Sequence, residues 1–98
     1  MAARTSYEAL ELEIASERAA SLGRAGRRLE VALAALAGHA GDEAEREELL
    51  AEAGQVLWYY VIQRECLRMF DHDKAFAIYR VPGEVIARMG PKRVRRDD

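Results

Sequence analysis

The 98 residues allow one domain, and with half of them apolar and a third charged the balance is that of an ordinary soluble chain. A net charge of −2 supplies no overall field for nucleic acid or anionic membrane, and the single cysteine, Cys66, excludes an intrachain disulfide and fits a reducing compartment. No apolar run follows a basic start, and the longest apolar stretch, Val56 to Ile62, is far too short to span a bilayer, so a cytoplasmic protein with no membrane role is expected.

Thr5 and Glu8 have the spacing of a capping box, which predicts a helix from Ser6 to Ala37 with Gly38 as a left-handed stop. Leu12, Ala15, Ala19, Leu22, Gly26, Leu29, Leu33 and Leu36 alternate at three and four, the seam of a left-handed helix pair. Tyr7, Leu10 and Ile14 widen the apolar face at the N-terminal end. Asp42 and Glu45 repeat the capping spacing and open a second helix, expected to reach Phe70 with Leu49, Ala53, Val56, Tyr60 and Leu67 on its seam. The short loop between the two makes them an antiparallel hairpin.

Trp58, Tyr59, Ile62, Cys66, Met69 and Phe70 lie off that seam, so the second helix is apolar on two sides and needs cover on both. A short helix from Lys74 to Tyr79 and a last one opened by Pro82 and stopped at Gly90-Pro91 can cap part of this second face. They are too short to cover all of it. The fold class expected is therefore all-α: a long antiparallel helical hairpin followed by two short C-terminal helices, forming a four-helix-bundle-type homodimer. Residues 1–5 read as an N-terminal arm, 6–90 as one helical domain and 91–98 as a basic disordered tail.

The chemistry-bearing residues are few. Folding the hairpin about residue 40 sets Gly26 opposite Gly54 and Gly23 opposite Leu57 and Trp58, so these glycines read as close helix contacts. The alternative for Gly23 to Arg28, a phosphate loop, lacks the flanking strand and the terminal lysine and hydroxyl residue such a loop needs. The same folding brings Arg18 toward Glu65 and Arg64 toward Glu13 or Glu17, as buried ion pairs or, alternatively, as the walls of an anion pocket. Asp71-His72-Asp73 matches no standard zinc spacing, and Asp71 or Asp73 reads better as a helix cap. Cys66 and the histidines offer a nucleophile pair only in principle, since Cys66 sits on an apolar face. No cofactor is implied.

Three segments carry a family resemblance: ALELEIASERAASLGRAGRRLE (Ala9 to Glu30), VLWYYVIQRE (Val56 to Glu65) and YRVPGEVIARMG (Tyr79 to Gly90). They resemble an uncharacterised family of short bacterial helical proteins known mainly as a domain of unknown function. The resemblance covers most of the chain and rests on whole segments rather than on a catalytic signature. It implies an all-helical fold, supplies no activity, and implies a glycine where this sequence has Arg80.

The functional expectation is a non-enzymatic helical interaction or assembly module, acting as a homodimer or docking on another protein. Tyr7, Trp58, Tyr59, Ile62 and Phe70 are expected at the interface, because aromatic side chains dominate interface energetics. The alternative is a nucleic-acid-binding accessory protein. In it the last two helices resemble a helix-turn-helix, and Arg88, Lys92, Arg93, Arg95 and Arg96 grip phosphates. Pro82, Gly83 and Glu84 would form a poor surface for reading bases.

Overall fold

In the computed structural model, residues 5–92 are described. They form four helices and no strand: α1 (Ser6–Ala37), α2 (Glu43–Cys66), α3 (His72–Tyr79) and α4 (Gly83–Ala87). Side chains start the first three. The Thr5 hydroxyl accepts from the Glu8 amide at 3.1 Å while the Glu8 carboxylate accepts from the Thr5 amide at 3.3 Å, a complete capping box. Asp42 accepts from the Glu45 amide at 2.9 Å, and Asp71 from the Lys74 amide at 3.3 Å. Pro82 precedes α4 with no side-chain cap.

The helix ends depart from expectation. Gly38 closes α1 at φ −89°, on the right-handed side, with its amide reaching the Ala34 and Leu36 carbonyls. No left-handed glycine is needed there. α2 stops four residues before Phe70 because the chain turns back at Arg68, whose φ is +59°. The Arg68 amide donates to the Glu65 carbonyl and the Met69 amide to the Arg64 carbonyl, both at 2.9 Å, which is the paired bonding of a Schellman turn. α3 ends in the same way. Arg80 sits at φ +52° and donates to Ala77, and Val81 donates back to Phe76. Arginine thus holds a left-handed position that glycine adopts without steric cost, the position at which the family resemblance implies glycine.

The core is a single cluster between α1, α2 and the short helices. Leu29, Leu57 and Val85 are its fully buried large side chains, with Leu36, Leu50, Tyr60 and Val61 around them. The buried stripe of α2 runs through Leu50, Ala53, Leu57, Tyr60 and Arg64. It is rotated from the expected one: Leu49 and Val56 are only half-buried and Leu67 lies outside the helix. The stripe of α1 is buried only at its C-terminal half. Leu22, Ala25, Gly26, Leu29 and Leu36 are covered, whereas every residue from Thr5 to Ala20 is exposed. The cause is length. At about 1.5 Å per residue, 32 residues outrun the 24 of α2 by about 12 Å, and the loop register adds to the excess.

Candidate functional site

The described residues offer three places where chemistry or recognition is concentrated. The first is the uncovered segment of α1. Tyr7, Leu10, Leu12 and Ile14 remain 70%, 53%, 49% and 42% exposed, interleaved with Glu8, Glu11, Glu13 and Glu17. This is an apolar and acidic overhang projecting past the end of α2.

The second is a groove of about 530 Å³ between α1 and α2. Its apolar surface comes from Val31, Ala32, Ala35, Leu49 and Val56, and its rim from Arg24, Arg27 and Arg28 on one side and Glu52 on the other. Val31 is 69% exposed within this apolar strip. Arg24 bonds to Glu17 at 2.7 Å, but among the described residues Arg27 and Arg28 form no ion pair.

The third is a polar knot inside the core. Arg64 is only 6% exposed, lies over the Tyr60 ring at 6.0 Å from its centroid, and donates to the Asp71 carbonyl at 3.0 Å. Its Nε is buried without a partner. Tyr60 and Tyr79 meet edge to face at 5.2 Å, and burial chiefly, with the neighbouring Tyr60 hydroxyl, pushes the Tyr79 phenol up to about 12. The knot fastens the α2–α3 turn, since the side chain of Arg64 and its carbonyl both hold backbone of that turn.

Several expected pairings are replaced by local ones. Arg18 is exposed on the overhang, beyond the reach of α2. Glu17 bonds to Arg24 on its own helix, Glu65 faces His72 at 3.1 Å, and Arg64 takes a backbone carbonyl instead of a carboxylate. The expected buried pairs of Arg18 with Glu65 and of Arg64 with Glu17 are therefore not formed among the described residues. The glycines also serve other contacts than expected. Gly23 faces open space save for the Arg27 side chain. Gly26 lies under the hydroxyl of Tyr79 and against Tyr60, and Gly54 lies under the backbone carbonyl of Arg88. The reason is that α3 and α4 fold back over the hairpin and occupy the space expected for a direct Gly26–Gly54 approach.

Of the expected interface residues, Tyr7, Tyr59, Ile62 and Phe70 are exposed, and Trp58 is half-buried with its ring tilted on Tyr59 at 5.4 Å. α4 packs on the Gly54 side of α2, leaving the Tyr59 and Ile62 side bare. Cys66 is exposed too, because it ends α2 on that bare side. The Arg88 guanidinium bonds to Glu47 at 2.7 Å and the Lys92 ammonium to Glu48 at 3.1 Å, while Arg93, Arg95 and Arg96 lie outside the described residues. Asp71 caps α3, which is the helix-cap reading of the Asp71-His72-Asp73 run.

What sequence reading missed is the groove. Its signal is a second stripe on α1, Tyr7, Leu10, Ile14, Glu17, Ser21, Arg24, Arg28, Val31 and Ala35, spaced by alternating threes and fours beside the seam. The arginines in its middle disguise it as a solvated surface.

The described residues thus define an all-α protein, a long antiparallel helical hairpin braced by two short helices, with no helix long and apolar enough to cross a membrane. The chain belongs to a family of unknown function (DUF6665), which matches residues 2–95. No curated protein and no solved structure matches it.

Proposed function

We propose that this protein is a non-enzymatic helical assembly module that works as a homodimer. The observation that supports this most is the overhang of α1, four large apolar side chains left exposed on a helix with no other helix over them among the described residues. Most of a protein helix's stability comes from packing its apolar face rather than from propensity. Contiguous exposed apolar side chains on a soluble protein mark association surfaces. The bare outer face of α2, with Tyr59, Ile62 and Phe70, extends the apolar surface available. A twofold partner is the commonest way for such a surface to be covered. The proposal carries a cytoplasmic location with it, supported by a single unpaired thiol at Cys66.

Sedimentation velocity at micromolar concentration tests the reading. The expected species has twice the 11.0 kDa chain mass. A monomer that persists across the micromolar range overturns it.

A further inference from the structure

We infer that the arginine-rimmed groove between α1 and α2 receives the α1 overhang of a second copy of this chain, in a reciprocal exchange. The inference rests on the homodimer reading and specifies its interface.

Length comes first. The groove runs along α1 from Arg24 to Ala35, about 17 Å of helix, and the overhang from Ser6 to Glu17 measures about the same. Shape and polarity follow. Tyr7, Leu10 and Ile14 form a three-four strip that lies on the same stripe of α1 as the groove wall. Two antiparallel copies of α1 joined along this stripe cross near Ala20 and Ser21, whose small side chains allow close approach. The apolar strip of each copy then lies over Val31, Ala32 and Ala35 of the other. That contact covers Val31, at 69% the most exposed large aliphatic side chain among the described residues of the hairpin.

Charge fixes the occupant as this chain itself. The charges of α1 are divided, with Glu8, Glu11, Glu13 and Glu17 first and Arg18, Arg24, Arg27 and Arg28 after them, Glu30 being the one acidic residue in the second half. Antiparallel pairing lays each acidic half on a basic half, whereas parallel pairing would set like on like. Arg27 and Arg28, without an ion pair among the described residues, face Glu11 and Glu13, which are likewise without one. Glu52 on the opposite rim is held near the Lys92 ammonium, at 3.9 Å. Two hairpins joined in this way form one core of four long helices.

The experiment uses two full-length variants. One carries Arg27→Glu and Arg28→Glu, the other Glu11→Lys and Glu13→Lys. Each alone sets like charges against one another and weakens self-association by at least about tenfold. Mixed, they restore complementary charges at both ends and give a heterodimer as tight as the parent homodimer. Circular dichroism checks that each variant is helical. In a second measurement, Leu10→Cys and Val31→Cys chains, each also Cys66→Ala, are treated with a short bismaleimide; mixtures of the two cross-link and either chain alone does not. Variants that stay dimeric alone, or thiols that fail to cross-link within a dimer, overturn the groove and leave the homodimer standing. A wild-type monomer overturns both.

Discussion

The backbone carbonyl of Arg88 rests on the bare Cα of Gly54, in the space that a Cβ would fill. The contact joins the end of α4 to the middle of α2 and brings Val85, fully buried, into the core. Backbone cannot swing aside as a side-chain tip can. Gly54→Ala is therefore expected to lower stability by about 1–3 kcal/mol through overpacking, although alanine improves helix propensity by up to about 1 kcal/mol. Gly23→Ala is the matching control, a helical glycine with nothing in its way but the flexible Arg27 side chain at 3.6 Å. It is expected to gain about 0.5–1 kcal/mol. Urea denaturation of the two variants checks both signs.

Gly26 makes the analogous contact with a side chain. A Cβ there meets the Tyr79 hydroxyl, which is wedged against Tyr60. Gly26→Leu is expected to cost about 2–3 kcal/mol by displacing Tyr79 from the hairpin. In a Tyr79→Ala background the same substitution should cost much less, because the obstacle is gone. A double-mutant cycle of melting temperatures measures that difference, and equal costs in the two backgrounds would defeat the assignment.

Arg80 occupies the left-handed region at φ +52° and ψ +48°, where a side chain crowds its own backbone. Arg80→Gly is expected to stabilise by about 0.5–1 kcal/mol, the left-handed penalty less the added freedom of the unfolded glycine. Chemical denaturation reads the change. A loss of stability would mean that the arginine side chain holds a contact worth more than the strain.

Tyr79 ties stability to alkaline pH. Its folded pKa of about 12 lies above the ordinary 10.0, so between those values the folded chain retains a proton that the unfolded chain has lost. The contribution is complete below pH 10 and falls away as pH rises toward 12. Ultraviolet titration should show a tyrosinate phase centred near 12 that disappears in Tyr79→Phe.

Local signals and periodicity were sufficient for the elements. Thr5, Asp42 and Asp71 each announce a helix through a carboxylate or hydroxyl placed to accept an amide three residues on, a relationship confined to one turn. The three-four spacing of the α1 seam and the short loop at His39 to Gly41 likewise determine a hairpin, because both are properties of neighbours in sequence. The end of α2 was not legible. The turn at Arg68 uses neither glycine nor proline, and it is held by Arg64 reaching the Asp71 carbonyl, seven residues away.

The site depended still more on tertiary structure. The acidic and basic halves of α1 can be counted in the sequence, but their meaning depends on how far α2 extends along α1. Coverage begins only after Ala20, and that makes Tyr7, Leu10 and Ile14, legible in the sequence as a widening of the apolar face, part of an overhang. The glycines divide in the same way. Gly23, Gly26 and Gly54 look alike in a helical sequence, and only the return of α3 and α4 over the hairpin leaves one in open space and presses Tyr79 and the Arg88 carbonyl onto the other two. Composition and periodicity act between residues a turn apart, so they determined that this chain forms a hairpin of two long helices. Which faces that hairpin leaves bare was decided by register and by the short helices, which are contacts between residues tens of positions apart.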